Sequence, residues 1–148
     1  MAQRLPTNAT VLLVQTDDDD RGMYAEYLRS VGVHTTVTGD VHHALGLART
    51  VDLVITEVRV PGEFDGVELV RRLRGDGQTS RRPIIVLTAS ATGRDERRAR
   101  EAGCDLFLVK PCAPSRVLAA IRLALVGAGR KTVARSDIFQ GSPRAASA

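Results

Sequence analysis

Short apolar runs rich in β-branched residues alternate with helical-period segments along most of this chain. Thr10–Val14, 35–38, Leu53–Thr56, Ile84–Thr88 and Leu106–Val109 read as strands. Leu53–Thr56 shows no polar alternation, the pattern of a strand buried on both faces. Between the strands, apolar residues recur at helical spacing. Met23, Tyr24, Tyr27, Leu28 and Val31 mark a helix over 21–31, with Gly32 at its C-terminal end. Further helices are predicted over 41–49, 66–74, 94–102 and 115–126. The third buries Val67, Val70 and Leu73, and the last Val117, Leu118, Ile121 and Leu125. The fourth has almost no large apolar residue.

Strands alternating with helices predict a parallel sheet covered on both faces, and right-handed crossovers favour a doubly wound α/β fold. The flavodoxin-like (βα)5 arrangement, three layers with strand order 2-1-3-4-5, is one member of that class. Ligands in such folds sit beyond the C-terminal strand ends. Here those ends carry Gln15–Asp17, Glu57, Thr88 and Lys110.

At 148 residues, one domain is expected, with a substantial core. It spans residues 10–126, after a short extension at 1–9. From 127 to 148 periodicity is lost, and this stretch reads as a basic, disordered tail. Of the formal charge of +4, the tail contributes +3, from Arg130, Lys131, Arg135 and Arg144 against Asp137. A basic tail suits contact with nucleic acid, although most such tails are merely solvated. No apolar run reaches the ~18 residues of a membrane span, and residues 1–10 lack a signal-peptide core, so a cytoplasmic protein is expected. Cys104 and Cys112 flank the last strand; eight residues at ~3.3 Å separate them by roughly 26 Å, so free thiols are expected. The histidines lack ligand spacing with them, and no metal centre is expected.

Four segments together resemble the receiver domains of two-component response regulators, over residues 10–126. Val11-Leu-Leu-Val14 resembles the family's first strand. Asp52-Leu-Val-Ile-Thr-Glu57, followed by Pro61 and Asp65-Gly66, resembles the phosphoacceptor segment. Pro83-Ile-Ile-Val-Leu-Thr88-Ala89 resembles the fourth strand with its switch hydroxyl. Ala102-Gly103-Cys104-Asp105-Leu-Phe107-Leu-Val-Lys110-Pro111 resembles the fifth strand and its Lys-Pro signature.

The resemblance implies a cleft of three acids, a hydroxyl and a lysine. Two acids at the first strand end join the acceptor aspartate to hold Mg²⁺, which neutralises phosphoryl oxygens during transfer. Thr88 and Lys110 match the hydroxyl and the lysine. The acceptor position holds Glu57 instead of Asp, and the acid pair falls on Gln15 and Thr16. Phe107 takes the aromatic switch position and cannot donate the hydrogen bond of a tyrosine. Asp17 is the nearest acid, the first of a run through Asp20. That run reads either as a relocated, weakened metal site or as a solvated helix start whose acids complement the helix dipole.

The substitutions are physically consistent with one another. Two like charges 4 Å apart cost roughly 4 kcal/mol at an effective dielectric of about 20, and crowded carboxylates need a cation. Gln15 and Thr16 remove two such charges, leaving Glu57 to face Lys110, one of only two lysines beside nineteen arginines. A compact ammonium suits that point contact better than a guanidinium fork. No cofactor is then expected; Mg²⁺ belongs only to the alternative of a working acceptor.

Three functions follow from the sequence. The first is an atypical, non-enzymatic receiver, not phosphorylated in the usual way, acting through a signalling partner such as a histidine kinase or an effector. The second is a phosphorylatable receiver with altered metal ligands, served by a histidine kinase. The third is a nucleic-acid-associated adaptor using the tail; no DNA-reading domain follows, so nucleic acid is the weakest expectation. The resemblance also suggests a homodimer through the face between the fourth and fifth helices. Arg94, Arg97, Arg98 and Arg100 on the fourth helix read as a partner surface or as a solvated helix paired with Asp95, Glu96 and Glu101. Arg59 is expected to pair with Glu57, Glu63 or an Asp of the 17–20 run, or to stay exposed. The loop between Pro61 and Gly66, one residue longer than is usual in the family, is expected to take its own path.

Overall fold

The computed structural model describes residues 9–90 and 92–129. Within them a five-stranded parallel sheet has the order β2-β1-β3-β4-β5. The strands are β1 (Thr10–Val14), β2 (His34–Thr38), β3 (Leu53–Thr56), β4 (Ile84–Thr88) and β5 (Leu106–Val109). The helices are α1 (Asp18–Ser30), α2 (Val41–Leu47), α3 (Gly66–Gly75), α4 (Gly93–Ala102) and α5 (Pro114–Gly129), and a 3₁₀ turn, Ala48–Thr50, extends α2.

Strand pleating sends alternate residues to opposite faces, which divides the core in two. Val11, Leu13, Ile55, Ile85 and Leu87 pack against Tyr24, Ala25 and Leu28 of α1 and Val117, Leu118 and Ile121 of α5. Leu12, Val14, Val54, Ile84 and Val86 pack against α2, α3 and α4. This is the doubly wound, flavodoxin-like architecture expected from the alternation.

Several boundaries move, each for a local reason. The first helix starts at Asp18 rather than residue 21, because Asp17 caps it: its Oδ1 accepts the Asp20 amide at 2.9 Å. The second strand begins at His34, whose amide reaches the Ala9 carbonyl at 3.1 Å. Ala9 is itself buried, so the core begins one residue before the expected edge of the extension. The fifth helix continues through Gly129, beyond the expected end at 126, because helical hydrogen bonding carries across Gly127 and Ala128 once the preceding turns are packed. The rest of the basic tail, 130–148, and residues 1–8 lie outside the described residues. Both cysteines are free and buried, and no described helix is long and apolar enough to cross a membrane.

Opposite the cleft, Arg74 and Asp105 tie α3 to the start of β5. Arg74 Nη2 lies 2.9 Å from Asp105 Oδ2, which also accepts the Ile84 amide at 2.9 Å. The same guanidinium donates to the carbonyls of Gly103, Ser80 and Arg82.

Candidate functional site

The C-terminal ends of β1, β3 and β5 bring Gln15, Thr16, Glu57 and Lys110 together. Parallel pairing sets their height: the Glu57 amide donates to the Val14 carbonyl at 3.2 Å, and the Lys110 amide to Thr88 at 2.8 Å. Glu57 is almost wholly buried, and its two carboxylate oxygens have different partners. Oε1 accepts the Thr16 amide at 3.0 Å and the Thr16 hydroxyl at 2.8 Å. Oε2 accepts the Lys110 ammonium at 3.2 Å. The carboxylate–lysine contact expected from the sequence is therefore present, and Thr16 orients it.

Lys110 has two further acceptors. Its Nζ lies 2.7 Å from Gln15 Oε1 and 2.7 Å from Asp20 Oδ2. Three acceptors thus match the three N–H bonds of the ammonium. Gln15 is fully buried, and its amide also braces β4, with Nε2 donating to the Leu87 carbonyl at 3.3 Å. Arg21 Nη1 holds the Gln15 carbonyl at 2.7 Å from the other side.

The nearest acid in sequence is not the one that reaches the cleft. Asp17 is engaged as the N-cap of α1, while Asp20 turns inward to Lys110. Sequence reasoning missed Asp20, although a signal was available. Asp20, Tyr24 and Leu28 are spaced four apart, so they share the buried face of a helix that begins at Asp18.

The expected switch positions lie at the end of β4 and within β5. Thr88 is buried, and its Oγ1 accepts the Ser90 amide at 3.0 Å. Phe107 is buried in the α2–α3–α4 half of the core. The Ser90 hydroxyl donates to Asp95, which is itself buried in α4. That hydrogen bond holds the Asp95 carboxyl below its ordinary range against the opposing effect of burial, helped by Arg59. Arg98 bridges Asp95 at 3.2 Å and Asp65, the N-cap of α3, at 3.1 Å.

Arg59 meets one expectation and corrects the other: its side chain stays largely exposed, and its ion pair is with Asp95 at 3.3 Å, not with Glu57, Glu63 or the Asp run. Asp95 offers it a nearly dry carboxylate, whereas Glu57 is already bonded on both oxygens. On α4, Arg98 and Arg100 form helix-surface pairs with Asp95 and Glu96, while Arg94 and Arg97 stay exposed. The loop after Glu57 turns at Gly62, whose φ is 139°. Phe64 then packs edge-on against His42 with ring centroids 5.3 Å apart and lies under the Arg72 guanidinium at 4.0 Å.

Mg²⁺ demands close octahedral oxygen coordination with carboxylate support. Among the described residues no three His, Cys, Asp or Glu converge to hold a metal ion. In the cleft, Thr16 donates to one Glu57 oxygen and Lys110 to the other, and Gln15 contributes only a neutral amide. This donor set does not suit the ion.

Similarities to known proteins agree with the geometry. Residues 11–122 match the model of the response regulator receiver domain. The polar-differentiation response regulator DivK of Brucella anthropi is 29% identical over 115 residues, covering 76% of this chain and 93% of DivK. Among solved structures, a putative response regulator from Chloroflexus aurantiacus superposes with a TM-score of 0.75 at 29% identity, covering 80% of this chain and 98% of that one. The receiver domain of the sensor histidine kinase PA1611 from Pseudomonas aeruginosa, solved with magnesium coordinated in its active-site cleft, gives 0.74 at 26% identity, covering 80% and 98%. With the strand order, the Lys110-Pro111 segment and the cleft at the strand ends, these matches place the chain in the response regulator receiver domain family.

Proposed function

We propose that this receiver acts as a protein-interaction module whose cleft is not charged with phosphate in the usual way. One observation carries the reading: the carboxylate of Glu57 is bonded on both oxygens, by Thr16 and by Lys110. An acceptor needs a free carboxylate oxygen to attack phosphorus and a cation to neutralise the phosphoryl oxygens. Here both oxygens are already hydrogen-bonded, Oε1 by two donors and Oε2 by the ammonium, and the lysine that would bind the product already has three acceptors. The reading requires neither metal nor catalysis. Its partners are signalling proteins, a histidine kinase or a downstream effector. The exposed apolar residues Val109, Leu123 and Val126 on β5 and α5 support that edge as the contact face, for an effector or for a second copy of the chain.

The test is incubation with a small-molecule phosphodonor and Mg²⁺, read by intact mass. The expected result is no phosphoryl adduct on the wild type. A stoichiometric adduct on Glu57 overturns the proposal in favour of a working acceptor with altered ligands. Partner capture by wild type, Glu57→Asp and Glu57→Gln then tests the contact itself. Glu57 is expected to support binding that Gln weakens, and equal capture by all three makes the contact irrelevant to output.

A further inference from the structure

We infer that the Lys110 ammonium is the built-in cation of this cleft, standing where a divalent ion would need to stand, so that the folded chain has no site for one while that charge is present. Three oxygens from three separate elements converge on its Nζ: Gln15 Oε1 after β1 at 2.7 Å, Asp20 Oδ2 from α1 at 2.7 Å and Glu57 Oε2 after β3 at 3.2 Å. None of these elements is a sequence neighbour of Lys110, so only the fold gathers them. Hard divalent cations take oxygen ligands at about 2.0–2.6 Å, and a small inward movement of the same oxygens would meet that range.

The charges point the same way. Asp20 and Glu57 carry two negative charges, and the ammonium neutralises one of them. Removing it would leave two carboxylates aimed at a single vacated point, with a net charge that matches a divalent cation. Thr16 keeps Glu57 in place, because its amide and hydroxyl hold Oε1 and leave Oε2 directed at that point. Gln15 is anchored by its own bond to the Leu87 carbonyl. The neighbouring Arg21 is drawn off by Asp18 and the Gln15 carbonyl, and Asp17 caps α1.

The inference rests on the reading that the family's acid cluster has been dismantled, and adds that a covalently tethered charge took over from the metal. The two are tested separately by titrating metal without any phosphodonor. An adduct on the wild type in the earlier experiment sinks that reading, whereas the outcomes below concern metal alone.

The experiment compares thermal melts and calorimetric titrations with Mg²⁺ and Mn²⁺ at matched ionic strength, for wild type, Lys110→Met and Lys110→Met/Glu57→Gln. The wild type is expected to show no melting shift and no binding heat up to millimolar metal. Lys110→Met, which keeps the apolar stem, is expected to melt lower without metal and to gain roughly 5 °C or more with it, as a ligand bound only by the folded state requires. The double variant is expected to lose that gain. A wild type stabilised as much as Lys110→Met overturns the inference. So does a folded Lys110→Met that ignores metal, or a double variant that keeps the response. Should Lys110→Met not fold in metal-free buffer, metal is expected to restore its circular dichroism, and failure to do so for both Lys110→Met and Lys110→Gln counts against the inference.

Discussion

Arg59 reaches across from the segment just after Glu57 to Asp95 of α4, at 3.3 Å. The contact joins the chain leaving the carboxylate–lysine cleft to the helix that follows the Thr88 loop. Asp95 also accepts the Ser90 hydroxyl and pairs with Arg98, which continues to Asp65 at the start of α3. One buried carboxylate thus gathers two loops and two helices.

Asp95→Asn should lower stability by about 1–3 kcal/mol near neutral pH, since charge-assisted hydrogen bonds to a buried acceptor are lost. Its pH dependence has a definite sign. The folded-state pKa is held low, first by the Ser90 hydrogen bond. The contribution is therefore complete above the unfolded value of about 4 and is lost as pH falls through the lower folded value. Urea unfolding of wild type and variant should differ most near neutrality and converge in acid. A gap that stays constant down to about pH 3 would refute the assignment.

Gly66→Ala should destabilise the domain by about 3 kcal/mol or more. A Cβ there would lie 1.6 Å from the Glu57 carbonyl oxygen and 2.7 Å from its carbon, and backbone on both sides leaves little room to move. Gly46 in α2 is the control: a Cβ there meets nothing within 4 Å, so Gly46→Ala should stabilise by up to about 1 kcal/mol. Chemical denaturation of both variants checks the pair, and equal effects would remove the steric argument.

Asp105→Ala should cost about 3 kcal/mol, because it removes the buried carboxylate that pairs with the partly buried Arg74 guanidinium and leaves the Ile84 amide unpaired. Asp105→Asn keeps the acceptor and should cost less. Amide spectra should show Gln15, Glu57 and Lys110 undisturbed, since this brace lies at the opposite end of the sheet. A loss below about 1 kcal/mol would mean that the backbone carbonyls alone satisfy Arg74.

Both thiols should resist alkylation in the native protein and react only on unfolding. Burial pushes the Cys104 thiol up to about 12 and raises Cys112 as well, so little thiolate exists near pH 8. Mass-resolved labelling with and without denaturant reads this directly. Rapid native labelling of Cys104 would contradict its burial.

The receiver fold was legible because its signals are local. Strand periodicity, Pro83 before β4, the Asp65-Gly66 helix start and Lys110-Pro111 are each read within a few residues, and together they specify a parallel sheet whose strand ends carry Glu57 and Lys110. That Gln15 and Thr16, rather than acids, follow β1 was equally plain, since it is a matter of residue identity. Which oxygens meet the ammonium was not. Four consecutive aspartates are nearly equivalent in sequence; only the cap at Asp17 and the rotation of α1 against β1 turn Asp20 inward. Sequence alone offered several acids as partners for Arg59, and the buried carboxylate of Asp95 on α4, placed by helix packing, took it instead. The end of α5 likewise followed packing of the preceding turns rather than the glycines at its tip. Residue chemistry and chain periodicity determined the fold and the contents of the cleft. The pairing of charges depends on distances of a few ångströms between elements far apart in sequence, and only the packed tertiary structure decided it.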